Sequence, residues 1–452
     1  MSQGNPFVVV EALLAVAGRD TPDASSLIVP ERVRGAISRR LEHLGALARE
    51  LAAVGAVIGR AFTFTLLRQA AGASELEAAE AVEELVRRQV FQHMGDHFDF
   101  VHERVREVVY GELLPPRRVL LHRAVAEAIE ALHAESPETQ SLAVGLHSLR
   151  GEAWEKAVAY LGQAGAEAIA RSAYREAAES LEQAISALER LPEEASRLAR
   201  SIDLRLDLAR PTLYQLGDVK RAAAVLGEAQ ARALALGDDR RLGHVTAQLV
   251  FCLRVMGHKS EAILAGERAL DIARRLSDLE IEIPANTGLG QVRYDRGDYR
   301  DAAALFRRNI DVLVGGLSLR SFRGGAPRSI HSRTCLASSL AELGEFDEAT
   351  RYADEALGAA HALEHPHSLV VASAGFGHVL LRRGDWKRAI DVVEPALAIA
   401  RAPDAALWFP RIASTLGAAY ILAGRPGDAY VLLEEALART IARELVHQRA
   451  LI

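Results

Sequence analysis

One short pattern recurs through the last two-thirds of the chain and restricts it to a narrow set of folds. A Gly is followed by a polar residue, often an aromatic, then two polar residues and an Ala. It reads Gly297-Asp298-Tyr299-Arg300-Asp301-Ala302, then Gly344-Glu345-Phe346-Asp347-Glu348-Ala349, then Gly384-Asp385-Trp386-Lys387-Arg388-Ala389. Looser copies end at Ala157, Ala177, Ala222, Ala262 and Ala429, so successive alanines lie 20, 45, 40, 40, 47, 40 and 40 residues apart. A stride of this length marks stacked supersecondary units that cannot bury their apolar faces alone.

The spacing has a direct physical reading. The Gly ends one helix in a left-handed conformation that other residues resist. The Ala sits where the next helix crosses closest to the first, leaving room only for a small side chain. Seven residues on, most copies carry a second small residue: Ala184, Ala229, Ala269, Ala356, Ala396 and Ala436. The copy at Ala302 is imperfect, with Asn309 in that place. Upstream pairs such as Leu336-Ala337 and Leu416-Gly417, followed by Leu340 and Tyr420, supply an apolar face at helical spacing. This arrangement resembles tetratricopeptide repeats, with a period about six residues longer than usual. The resemblance implies an α-solenoid over residues 140–452, of about seven to eight helix pairs.

Composition agrees. Half the residues are hydrophobic and only 5% are aromatic, and the apolar set is dominated by Ala and Leu, which suits closely packed helices. The balance of 54 Lys+Arg against 60 Asp+Glu gives a formal charge of −6, which advertises no basic face for nucleic acid. Cys252 and Cys335 are the only cysteines and read as buried apolar residues in a reducing compartment. The longest early apolar run, Phe7 to Ala17, contains Glu11 and is too short to span a bilayer. The expected location is the cytoplasm.

Residues 31–135 carry no repeat. The pattern predicts helices over about 31–43, 45–58, 63–71, 75–89, 103–113 and 117–133. Between the fourth and fifth, Val90 to Phe100 alternates around a Met94-Gly95-Asp96 turn, which predicts a β-hairpin wing. Helices followed by a wing suggest a winged-helix-like domain, so the whole chain reads as all-α. The segment Glu75 to Arg88, in the recognition-helix place, holds five glutamates against Arg87 and Arg88. That charge opposes binding to DNA phosphates.

A second resemblance rests on Phe98-Asp99-Phe100-Val101-His102, Arg106-Glu107-Val108-Val109-Tyr110, Arg117-Arg118 and Leu121-His122-Arg123-Ala124-Val125-Ala126. These strings resemble a signature of large bacterial signal-transduction ATPases of the AAA/STAND type. Such proteins join a nucleotide domain, a winged helix and a tetratricopeptide sensor, and some also carry an adenylate or guanylate cyclase or a protein kinase domain. The start, Gly4 to Glu11, resembles the end of their ATPase module, so the resemblance implies that residues 1–30 are a lid remnant and linker. It also implies that Pro6 and His102 lie close to a bound nucleotide. The chain itself shows no Gly-x-x-x-x-Gly-Lys-Ser/Thr loop. Met256-Gly257-His258-Lys259-Ser260 lacks the first Gly and falls in a repeat turn. No cofactor is therefore expected, and any ATPase or cyclase activity would need a domain in trans.

Three further features are candidate sites. His361-Ala362-Leu363-Glu364-His365 matches an inverted zincin spacing, but Pro366 follows at once, and no metal is assigned. Val314 to Arg333 is a long Gly-rich connection whose Arg320, Arg323 and Arg328 form a basic loop. The repeat register turns positions about 18, 15, 11 and 8 before each Ala toward the concave face. In three repeats these include His244, Phe251, Arg254, Gln291, Tyr294, His331, Thr334 and Ser338, a mixture suited to a peptide or partner helix. The expected function is a non-enzymatic regulatory module that binds a protein or peptide on that face. The alternatives are an ATP/ADP-binding switch and a transcriptional regulator acting through the winged helix; nucleic acid is an unlikely partner on charge grounds, and no membrane is expected.

Overall fold

The repeat alanines are among the most deeply buried of the described residues. Ala157, Ala177, Ala222, Ala262, Ala302, Ala349, Ala389 and Ala429 are each 0–1% exposed. The computed structural model describes residues 31–133, 140–171, 173–214, 218–315, 327–402 and 408–442. The described residues form 21 helices and one small sheet, an all-helical architecture of stacked pairs. None of these helices is long and apolar enough to cross a membrane. The chain divides into two compact units, residues 1–163 and 164–452.

In the first unit the elements run in the order helix, helix, strand, helix, helix, strand, strand, then four further helices. The strands are β1 (Phe62–Thr63), β2 (Phe91–Met94) and β3 (His97–Phe100), paired antiparallel in the order β1-β3-β2. The predicted hairpin is therefore present. The strand β1 is a correction, because the sequence pattern ran a helix from residue 63. Thr63 ends the strand and its hydroxyl accepts from the Leu66 amide at 3.2 Å, so one residue closes β1 and caps the helix Phe64–Ala71. The sheet brings Phe62, Phe91 and Phe100 into edge-on contact, with Phe91–Phe100 ring centres 4.9 Å apart.

Although the repeat signal begins near residue 140, the first unit extends to Gln163. Polar contacts show why. Helix Ser141–Arg150 lies on helix Pro115–Leu132, with His122 Nδ1 and His147 Nδ1 2.9 Å apart and the Tyr110 hydroxyl 3.1 Å from His122 Nε2. Lys156 and Tyr160 both donate to Glu130, each at 2.6 Å.

The second unit is a run of antiparallel helix pairs. Three of them show the period clearly: Asp239–Val255 with Lys259–Leu276, Leu279–Arg296 with Tyr299–Val312, and Arg328–Glu342 with Phe346–Ala362. Pro366–Arg383 with Trp386–Ala400 and Phe409–Leu422 with Pro426–Ala442 follow. The turn glycines of the three clear copies do what the pattern requires: Gly297, Gly344 and Gly384 have φ of 87°, 81° and 88°. Small residues on the first helices allow the second helices in. A Cβ built on Gly377 would lie 2.2 Å from Val393 Cγ2. The 47-residue interval is a real insertion after Val312, but its tail is helical, since Arg328 already opens the next helix. The basic-loop residues Arg320 and Arg323 lie outside the described residues, as does Pro6.

The imperfect copy is not a defect. Asn309 is fully buried and its amide is saturated. It accepts from Asn286 Nδ2 at 3.0 Å and donates to the Ile283 carbonyl and to Thr287 Oγ1, each at 3.0 Å. Ser332 Oγ lies within 3.4 Å, so three helices share one polar knot. Restoring the alanine of the other copies is therefore expected to destabilise. Asn309→Ala should cost roughly 1–3 kcal/mol, the usual penalty for stranding buried polar groups, with Asn286 and Ile283 losing partners. Urea unfolding of the second unit's signal measures it, and an unchanged midpoint would refute the knot's role.

Candidate functional site

The first helices of successive pairs line up side by side and present one wall. On this wall the 40-residue register becomes a set of rungs. Arg254, from helix Asp239–Val255, is buried and grips Asp295 of the next first helix through Nε at 2.7 Å and a second nitrogen at 3.2 Å. Lys259 Nζ donates to the Asp295 carbonyl at 2.9 Å. One helix further, the Gln291 amide lies 2.9 Å from His331 Nε2 and 3.9 Å from Cys335 Sγ.

The densest polar point is Glu342. Its Oε1 accepts from Arg382 Nε and His378 Nε2, each at 2.9 Å, and from the Tyr294 hydroxyl at 3.4 Å. A carboxylate only accepts, so His378 carries its proton on Nε2. The Tyr294 hydroxyl also lies 3.2 Å from His378 Nε2, although these residues are 84 positions apart. A contact between first helices two repeats apart requires the wall to curve strongly. Trp408 shows the same curvature, with its ring centre 5.9 Å from both His331 and His367.

Electrostatics mark the wall as recessed. Burial pushes His331 down to about 3 and His367 down to about 4, assisted by neighbouring cations. His378 is lowered by the same burial, with Glu342 pulling the other way. The hydrogen bond from His378 holds Glu342 below the usual carboxylate range against its own desolvation. Burial also raises the Tyr294 phenol and the Cys335 thiol. Yet His331, Cys335 and His378 each keep partial solvent exposure. Enclosure without loss of access is the signature of a cleft.

Of the eight residues read from the register, Arg254, Gln291, Tyr294 and His331 come together here. Thr334 and Ser338 are buried, and their hydroxyls are spent on the Ile330 and Thr334 carbonyls of their own helix. Phe251 is partly buried against the apolar cluster around Leu249 and Val250. His244 lies with Asp278 and Glu280, whose ligand atoms all fall within 4.8 Å of one another. These three could hold a cation in principle, but Arg240 already pairs with Asp278 at 2.7 Å and Glu280 at 3.3 Å. The register, carried two repeats further, also leads to His378 and Arg411. Asp295, Glu342 and Arg382 occupy the next position along, seven before each Ala, outside the four inward positions of the register.

Other candidates resolve as follows. His361 and His365 fall on opposite sides of a helix end, because one helix stops at Ala362 and the next starts at Pro366. His365 Nδ1 caps that second helix by accepting from the Ser368 amide at 3.2 Å. His102 Nδ1 caps helix Glu103–Glu112 by accepting from the Arg104 amide at 3.2 Å, while its Nε2 is buried without a partner among the described residues. On helix Glu75–Arg87 the exposed face holds Glu75, Glu77, Glu80 and Glu83.

Comparison with known proteins agrees with this architecture. Residues 329–363 match the tetratricopeptide repeat family. An uncharacterized protein of Rhizobium meliloti (strain 1021) is 26% identical over 402 residues, covering 82% of this chain and 37% of that protein. The chain thus spans well under half of that relative's length. The Rap conjugation gene regulator of plasmid pLS20, solved in complex with the Phr* peptide, superposes with a TM-score of 0.54 at 15% identity. That match covers 87% of this chain and 97% of the regulator. A Signal Transduction ATPase with Numerous Domains from Pyrococcus horikoshii, with a tetratricopeptide repeat sensor, gives a TM-score of 0.44 at 14% identity, over 100% of this chain and 70% of that one. The likeness to the Rap regulator is one of fold: a tetratricopeptide-type helical solenoid.

The buried histidines make the second unit sensitive to acid. A neutral His331, held near 3 in the folded chain, must compete with an unfolded chain that protonates near 6.5. The resulting penalty on folding is absent above pH 6.5 and grows as the pH drops from there toward 3. The melting temperature is expected to fall between pH 7 and pH 5, and by less in His331→Gln than in the parent chain. Parallel falls in the two proteins would show that His331 is not buried neutral.

Proposed function

We propose that this chain is a non-enzymatic regulatory module that binds a peptide, or an extended segment of a partner protein, in the cleft of its repeat unit. One observation carries this reading. Four successive first helices direct Arg254, Gln291, His331, Tyr294, Glu342 and His378 into one recessed polar wall, edged by Trp408. A site with fixed side-chain donors and acceptors and an aromatic edge suits an extended main chain, which offers one donor and one acceptor per residue. The Rap regulator of like fold was solved with a peptide, which supports the same use of such a solenoid here.

In this reading the helices and sheet of the first unit form a winged-helix-like relay. The relay would couple occupancy of the cleft to an ATPase or cyclase domain acting in trans, as the resemblance to signal-transduction ATPases implies, and the setting is cytoplasmic. The outward glutamates of helix Glu75–Arg87 argue against a duplex as the relay's target.

A mixed hexapeptide library, read by fluorescence anisotropy, tests the site. Peptides selected on the parent chain are expected to bind Gln291→Ala/His331→Ala at least tenfold more weakly, with its melting temperature within a few degrees of the parent's. Undiminished binding by that double variant would place the peptide elsewhere.

A further inference from the structure

The cleft's charges do not cancel. Asp295 is taken by Arg254, and Glu342 is taken by Arg382 and His378. Among the described residues of the wall, one arginine has no such partner. Arg411, in the first turn of helix Phe409–Leu422, is half-buried and makes no hydrogen bond or ion pair through its guanidinium among the described residues. The preceding residue, Trp408, rests against His331 and His367, so the helix start that carries Arg411 faces the wall built by the two previous repeats. The charge of Arg411 reaches Tyr294, His331, Cys335 and His378, which come from three other first helices. None of these four is an anion in its resting form, and the carboxylates that act on the same groups, Glu342 and Asp295, are engaged by His378 and Arg382 and by Arg254.

A half-buried guanidinium with no carboxylate in direct contact among the described residues is costly unless something completes it. A guanidinium presents its donors in a planar fork that a carboxylate matches with two parallel hydrogen bonds. Water can fill the place, but a bound carboxylate there would be paired in a recessed site with little competing solvent. The other carboxylates of the wall already accept from their own partners, so they do not satisfy Arg411.

We propose that Arg411 is the anion-recognition point of the cleft, holding a carboxylate of the bound peptide. This rests on the peptide reading above and adds to it the chemical class of the ligand's anchoring group. The carboxylate comes from an Asp or Glu side chain or from the peptide's C-terminus. A free small dicarboxylic acid would offer the same group.

Two measurements on the full chain separate these cases. In the first, the hexapeptide library is made with free-acid and with amidated C-termini, and selected peptides are resynthesised with Asn and Gln for Asp and Glu. Removing the carboxylate is expected to weaken binding to the parent chain about tenfold or more and to leave binding to Arg411→Gln unaffected, with Arg411→Lys intermediate. Loss on side-chain replacement assigns a side-chain carboxylate, and loss on amidation assigns the C-terminus. In the second, phenylglyoxal labels arginines in the parent protein, read residue by residue by mass spectrometry with and without glutarate. Arg411 is expected to label faster than Arg254, which Asp295 locks, and glutarate is expected to slow it at least threefold.

Peptides that bind regardless of their carboxylates and of Arg411 would overturn the anion site and leave the peptide reading standing. Glutarate protection of Arg411 with no peptide binding would sink the peptide reading and keep the anion site, with a free acid as its ligand. Labelling of Arg411 no faster than Arg254, and unmoved by glutarate, would overturn it outright.

Discussion

Everything in the repeat unit depends on how closely two helix axes can approach. An alanine at the crossing lets the second helix of a pair nest against the first, and a side chain one or two carbons longer would push the pair apart. Seven such alanines in this unit, and Ala157 in the first, are buried to within 1% of complete. Repeated at a nearly constant stride, the same crossing angle places each first helix beside the last, so side chains about 40 residues apart become neighbours. Arg254 with Asp295, Arg240 with Asp278, Arg241 with Asp203 and Arg382 with Glu342 are all separated by 38 to 41 positions. The polar wall is therefore a by-product of close packing: the alanines fix the rungs, and the rungs fix which charges meet.

Much of this was legible in the residues. The turn glycines and alanines gave the helix pairs, and the same register gave Arg254, Gln291, Tyr294 and His331 as inward residues. The hairpin at Phe91–Phe100 was legible from its alternation and its turn. The short strand at Phe62–Thr63 was not, because two residues carry no period and their pairing partners, Phe98 and His97, lie 36 and 34 positions away. Nor was the fate of Thr334 and Ser338 visible. A register states which way a Cβ points, not whether a neighbouring glycine has let the next helix close over it. At Gly375 an added Cβ would lie 2.2 Å from the Thr334 methyl, and that approach seals the site. The convergence of Tyr294 with His378 depends on the curvature of the stack, which is a sum over several crossings and is written in no single repeat.

The two units handle buried polar groups differently. In the first, His122 and His147 sit nitrogen to nitrogen, with burial pushing them down to about 4 and about 3, so the contact holds only while one or both stay neutral. In the second, Asn309 joins three helices through an amide that does not titrate. Buried amides of this kind fix one packing arrangement against others of similar apolar content. The solenoid carries such a pin at the copy where the small-residue rule lapses, within the 47-residue interval from Ala302 to Ala349.

A helical solenoid behaves as a spring, since each unit touches only its neighbours and small changes in crossing angle add along its length. Trp408 alters that mechanics. By resting on His331 and His367 it ties a late coil to the two before it, like a clasp across the bow of the spring. Uncoiling the inner wall means prising an indole off two imidazoles, whereas tightening it presses them together. The clasp therefore resists a change of pitch in both senses, because rings in contact lose attraction when drawn apart and repel when pressed, and a ligand seated beside it would act on three coils at once.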